Sequence, residues 1–200
     1  MMKLFFDTET NGLPDWGQPS EAPQQPHLVQ LALIALDDAG RERSAISVLV
    51  RPEGWDISEA MTAIHGIGHA TASALGLSEA TVTNLFLHYL GRADLVIGHN
   101  VTFDMRIMRI AMLRAGFSKE EADAKLKGVT QYCTMRAATP LVNAAPTEKM
   151  RAAGFTHAKN ANLTECMDFF FGEALEGAHD AMVDARACMR VYHAIGAAGG

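Results

Sequence analysis

The sequence predicts an α/β fold in which strands come first and helices follow, and three observations predict it. Three strand-length apolar runs, residues 3–9, 28–36 and 45–50, fall within the first fifty positions and are bounded by polar turn residues, the pattern of buried strands. Beyond them the apolar spacing lengthens to that of a helix, starting with Val82, Leu85, Phe86, Tyr89 and Leu90 behind the capping residue Ser78. The chain has 200 residues and is 48% hydrophobic, which suits one core and one domain spanning 1–200, with no repeat or linker to divide it.

The first strand carries the most informative residues. Side chains alternate across a strand, so Asp7 and Glu9 share a face with Phe5. Two carboxylates this close repel, and burial penalises their charged forms, unless a cation lies between them. The donors are all oxygens, which suits a hard divalent ion; a solvated polar edge is the plainer alternative. Residues 11–27 contain Pro14, Pro19, Pro23 and Pro26, which remove amide donors and predict a long loop. A turn at 37–43 joins the second and third strands as a hairpin.

Residues 94–98 form a further short strand, and Gly98-His99-Asn100 turns the chain into a helix running to about Ala115. That helix is apolar nearly all round. Phe103, Ile107 and Ile110 lie on one side and Met105, Met108 and Met112 on another, with Arg106 and Arg109 on a narrow polar strip, which predicts a buried helix. Asp104 falls in its first turn, where the helix dipole favours an anion and where Thr102 or Asn100 can cap free amides. A last strand is expected at 130–134, and an irregular, polar, mobile stretch at 143–161.

Two helices, 162–171 and 180–195, finish the chain. In the second, Ala181, Ala185, Cys188, Val191, Tyr192 and Ile195 mark the apolar stripe, while Arg186, Arg190 and His193 face solvent. Asp184 lies within the stripe and is therefore directed inward, where an unpaired carboxylate costs several kcal/mol as an order of magnitude (~2–7). It needs a partner: either a salt bridge or a cation shared with the first-strand carboxylates. His179 precedes this helix on a loop.

Composition bounds the setting. No run is long enough for a membrane helix, and Asp7 and Glu9 interrupt the short apolar start that a signal peptide needs, so a soluble cytoplasmic protein is expected. Cys133, Cys166 and Cys188 are an odd count without metal-site spacing, which predicts reduced thiols. The net charge is −6, yet it is unevenly spread: residues 99–159 hold ten basic and five acidic side chains. Either that section is a solvated helix surface or it contacts a polyanion.

Three stretches, Phe-Asp-Thr-Glu-Thr-Asn-Gly at 6–12, Gly-His-Asn-Val-Thr-Phe-Asp at 98–104 and Ala-His-Asp-Ala-Met-Val-Asp at 178–184, together resemble the motifs of the DnaQ-like, DEDDh-type 3′ to 5′ exonucleases. Met61 to Ile67 also resembles a loop of that family. The resemblance implies a ribonuclease-H-like fold, a five-stranded mixed sheet flanked by helices with its first three strands antiparallel. It implies Asp7, Glu9, Asp104 and Asp184 as acidic ligands of two divalent ions, Mg²⁺ with Mn²⁺ as a substitute, and His179 as general base for water attack that releases 5′-mononucleotides. It further implies that backbone near Thr10 and the side chain of Leu13 hold the terminal nucleotide with His65 close by; loop packing for Leu13 and a turn hydrogen bond for His65 are the competing readings. His99 and Asn100 are expected to fix the turn before Asp104, and Phe103 to be core.

The implied partners are nucleic-acid 3′ ends, single-stranded or frayed DNA first, with no membrane. RNA 3′-end trimming is the alternative, because contacts to the 2′-hydroxyl cannot be read from residue types. A homodimer is compatible with the sequence. A polymerase-associated proofreading or interaction subunit is the remaining alternative, for which the short tail Ala197-Ala198-Gly199-Gly200 offers little to dock with.

Overall fold

The computed structural model describes residues 1–198, leaving Gly199 and Gly200 of the short tail outside the described residues. Its centre is a five-stranded sheet formed by β1 (Lys3–Thr10), β2 (Leu28–Leu36), β3 (Glu42–Leu49), β4 (Leu95–Gly98) and β5 (Thr130–Cys133), in the order β3-β2-β1-β4-β5. β1 to β3 pair antiparallel, whereas β1 with β4 and β4 with β5 run parallel. The hairpin between β2 and β3 closes on Asp37, whose carboxylate accepts from the amides of Ala39 and Arg41.

Strand alternation divides the core in two. Leu4 and Phe6 point to one face of the sheet, where Phe6 meets Phe86 of α3 (Glu79–Leu90) and both pack with Ile107 and Met108 of α4 (Val101–Arg114). Phe5 points to the other face, against α8 (Leu163–Phe171) and α9 (Ala181–Ala198), whose Cys166, Ala185, Cys188 and Val191 are fully or almost fully buried. β2 is buried along its whole length, as a central strand covered on both faces must be. Among the described residues no helix is long and apolar enough to cross a membrane.

The first, second, fourth and last expected strands and the two closing helices stand where the sequence puts them, and Ser78 caps α3. Other elements differ. β3 starts earlier than the apolar run because its partner β2, not its own composition, sets its length. Met61–Ile67 is not simply a loop: Met61 to His65 complete α1 (Glu59–His65), which ends at Gly66 in the left-handed conformation (φ 74°) that glycine adopts without strain. α2 (His69–Leu75), α5 (Lys119–Lys127) and α6 (Thr134–Val142) add to the expected set, and α7 (Glu148–Ala152) supplies one regular turn within the irregular 143–161 stretch. Neither proposed cap serves α4, since Asn100 takes a left-handed conformation (φ 71°) and makes no side-chain cap.

The long loop 11–27 is built rather than slack. Gln25 is buried, its amide donating to the carbonyls of Asp15 and Pro19 while its Oε1 accepts from the Asp15 amide. Arg106 and Arg114 of α4 donate to the carbonyls of Gln18 and Pro26 from beneath. Backbone acceptors that the prolines leave without a sheet partner are satisfied in this way. All three cysteines are free and buried, and burial raises the Cys166 thiol to about 11.

Candidate active site

β1 runs parallel to β4 and continues past its end as far as Thr10, and α4 leaves the end of β4 directly beside that overhang. A cleft of about 330 Å³ opens there, lined among others by Asp7, Glu9, Asp104, His179 and Asp184. Three sequence-distant segments thus meet at the C-terminal end of the central strand β1. Four carboxylates and two histidines, His99 and His179, share that small volume.

Each carboxylate reaches it by a different route. Asp7 and Glu9 project from β1 on the Phe5 face, toward α9, as the alternation requires. Asp184 comes up from the first turn of α9, and its position depends on how that helix is docked. Docking is set by a polar clasp: Gln30, directly opposite Glu9 in the β1–β2 register, accepts from the Ala181 amide and donates to Asp180, which in turn caps the Met182 and Val183 amides. Asp104 arrives from α4 on the opposite side. Its Oδ1 accepts from both the amide (3.1 Å) and the hydroxyl (2.7 Å) of Thr8, the residue between Asp7 and Glu9 that points to the α4 face.

The electrostatics are those of an anion cluster short of a cation. Burial is the first cause raising Asp7 well above the ordinary carboxylate range, with Asp104, Asp184 and Glu9 adding repulsion. Burial followed by Asp184 and Asp104 raises Glu9 to about 8. Asp104 rises to about 7, again by burial, although its bonds from Thr8 pull the other way. Asp184 is raised by burial and is partly relieved by the His179 amide. Glu9, His179 and Asp184 each offer a ligand atom, all within 4.8 Å of one another. Asp184 Oδ1 is buried without any hydrogen-bond partner. An orphaned carboxylate oxygen beside two further donors fits a divalent cation, which would supply the missing partner and remove the repulsion.

His179 is exposed and holds a left-handed backbone (φ 69°), a conformation uncommon outside glycine and found where surrounding structure enforces it. The enforcing contact is its own amide, which donates to Asp184 Oδ2 at 3.2 Å.

The expected nucleotide contacts divide. Thr10 is buried, with its hydroxyl donating to the Gly12 carbonyl, and Leu13 stands 83% exposed at the rim of the cleft. His65 is buried instead of facing the cleft: its Nδ1 accepts from the Ile67 amide, the turn hydrogen bond that competed with a substrate role. The same helix presents Met61 and Ile64 to the cleft, which sequence reasoning missed although their i, i+3 spacing carried the signal. Phe103 is half-buried and also lines the cleft, so it is not simply core. His99 is structural as expected, its ring bridging Thr134 Oγ1 and the Ala161 carbonyl, both at 3.0 Å.

An exonuclease family model, RNase_T, matches residues 4–192. The chain belongs to the RNase_T exonuclease family. Solved structures of similar fold include E. coli Exonuclease I in complex with a dA16 oligonucleotide, at 20% identity and a TM-score of 0.71 over 98% of this chain and 41% of that one. The zinc-ion-bound form of the E. coli enzyme with single-stranded DNA is 19% identical, with a TM-score of 0.71 over 97% and 40%. A moderately thermophilic Exonuclease I from Methylocaldum szegediense is 20% identical, with a TM-score of 0.70 over 97% and 40%. This exonuclease-family chain spans about two fifths of the length of those structures. No curated protein matches it.

Proposed function

We propose that this chain is a 3′ to 5′ exonuclease that removes 5′-mononucleotides from single-stranded or frayed DNA ends. The observation that carries the reading is the convergence of Asp7, Glu9, Asp104, Asp184 and His179 on one cleft, in a member of an exonuclease family. Solved neighbours bound to DNA oligonucleotides support the choice of substrate.

Asp7, Glu9 and Asp184 would hold one Mg²⁺ or Mn²⁺, and Asp7 with Asp104 a second. Such ions neutralise charge on the phosphate and lower the pKa of water. The side chains do the rest. Thr8 keeps Asp104 aimed into the cleft. His179, exposed at the mouth and adjacent to Glu9 and Asp184, takes the proton of the attacking water. Water oxygen bonds to the terminal phosphorus, the bond from phosphorus to the 3′-oxygen of the penultimate nucleotide breaks, and that oxygen leaves with a solvent proton. Leu13, Ile64, Met61 and Phe103 form an apolar rim on which the terminal base can rest, with the Thr10 backbone beneath it.

The test is a gel of end-labelled linear single-stranded DNA beside the same strand closed into a circle, with Mg²⁺, Mn²⁺ or chelator and with an RNA strand in parallel. Stepwise shortening of the linear DNA alone, lost in chelator, is the expected result. Rapid cutting of the circle would overturn the reading, and preferential digestion of RNA would move it to RNA 3′-end trimming.

A further inference from the structure

A second cleft, about 550 Å³, lies between loop 11–27, α4 and α5 and touches none of the five residues above. We infer that it is an extension of the strand-binding path, in which Trp16 stacks on an internal base while the cations around it engage the adjoining phosphates. The inference rests on the exonuclease reading and deepens it.

Four cations, Arg106, Arg109, Lys119 and Lys127, line this cleft against two carboxylates, Glu21 and Asp123. The carboxylates are already engaged: Asp123 by Arg109 and Lys127, and Glu21 by Lys119. Arg106 pairs with no carboxylate among the described residues; it donates to the Gln18 carbonyl at 2.6 Å, and its Nε is buried without a partner. In a chain of net charge −6, this surplus of positive charge is concentrated where the 99–159 section folds against the loop. The complement it calls for is an anion.

Trp16 supplies the second part. It is 58% exposed, and the Arg106 guanidinium lies 5.5 Å from its ring centre, so the indole is held from one side and open on the other. An exposed aromatic ring beside a net surplus of positive charge is the arrangement that holds single strands, since every base has a face to stack and every linkage a charge. Continuity with the carboxylate cleft is direct. Leu13 at the rim of one cleft and Trp16 in the other are three residues apart, and in the first turn of α4 Phe103 and Asp104 line the first cleft while Thr102 and Met105 line the second. A strand whose last nucleotide sits at the carboxylates has only that shared wall to cross.

Two measurements test the inference. In a Trp55→Phe background Trp16 is the sole tryptophan, and its emission should be quenched by a 20-nucleotide single strand in chelator, without turnover. Trp16→Ala should raise KM for that strand roughly 5- to 150-fold, the range that one base stack contributes. Trp16→Phe should recover part of the loss, and hydrolysis of a dinucleotide, too short to reach the second cleft, should stay at the wild-type level in both variants. Unquenched emission together with an unchanged KM in Trp16→Ala would overturn the inference while leaving the exonuclease standing. If the wild type hydrolyses neither substrate, the exonuclease reading falls, and quenching of Trp16 alone then decides whether the cleft holds a strand.

Discussion

The backbone amide of His179 donates to Asp184 Oδ2 at 3.2 Å while Oδ1 of the same carboxylate is buried without a partner. One oxygen of Asp184 therefore fixes the histidine loop, and the other is left for a ligand. Asp184→Asn keeps an acceptor for the loop and removes the charge. Asp184→Asn and Asp7→Asn should each abolish hydrolysis, and in chelator each should melt about 2–8 °C higher than wild type, if relieving the repulsion is worth about 1–2 kcal/mol. Wild-type rates in either variant with metal present would remove both residues from the ligand set.

The histidine itself can be separated from its backbone. Because φ is 69° at His179, alanine there adds strain that glycine does not. His179→Gly should keep the loop and lose the base, lowering kcat by roughly 10²- to 10⁴-fold with little change in KM. His179→Ala should show the same kinetic loss and a lower melting temperature than the glycine variant. Equal melting temperatures would mean that the strained conformation is not held in solution.

Stability without metal should fall as pH rises. Glu9 at about 8 and Asp104 at about 7 retain protons in the folded protein at pH values where the unfolded chain has released them. The native state thus binds more protons across the interval from the ordinary carboxylate range, about 4, up to 7–8, and stability declines through it. Melting curves in chelator between pH 5 and pH 8.5 check the slope. Added Mg²⁺ or Mn²⁺ should flatten it, and a flat profile in chelator would show that the cluster is not desolvated as the fold implies.

Thr8 offers a test of a residue with no place in the three motifs' acidic set. Thr8→Val preserves volume and deletes the hydroxyl that Asp104 accepts at 2.7 Å. Loss of one hydrogen bond to a charged group should cost about 10- to 100-fold in kcat. If the rate is unchanged, the amide bond from Thr8 alone orients Asp104.

The ease with which Asp7, Glu9 and Asp184 can be read from sequence has a physical origin. Each interrupts an apolar period, β1 alternation in two cases and the α9 stripe in the third, so the sequence marks them as inward-pointing charges. The antiparallel half of the sheet was legible for a similar reason, because the β2 run is apolar throughout and needs cover on both faces. α5 escaped notice although Ser118 and Glu121 form a capping box, because the helix is charged on most sides and only Ala122 and Leu126 are buried. Gln30 and Thr8 were invisible for another reason: each acts through a neighbour three-dimensionally adjacent and some hundred or more positions away, Asp180 for one and Asp104 for the other. Of the two readings the sequence leaves open for His65, the structure shows the turn hydrogen bond, Nδ1 accepting from the Ile67 amide, while Met61 and Ile64 of the same motif line the cleft.

Salt dependence of binding follows from where the cations of the 99–159 section end up. At the far end of that section Lys159 pairs with Glu165 at 2.6 Å, and Lys149 and Arg151 lie on α7, lining neither cleft. The cations with a surplus lie around Trp16, and they number four against two carboxylates. Roughly two to four phosphates can then be neutralised, and at about −0.7 per contact for single strands the slope of log K against log salt should lie between about −1.4 and −2.8. Titrating a labelled oligonucleotide at several salt concentrations, with Ca²⁺ to hold turnover down, measures it. Charge reversal at Lys119 and Lys127 should flatten the slope by about 1 or more and weaken binding. Reversal at Lys149, Arg151 and Lys159 should do less. A wild-type slope steeper than about −5, or a larger effect from the second set than from the first, would mean that the strand follows the 143–161 segment and not the cleft beside α4.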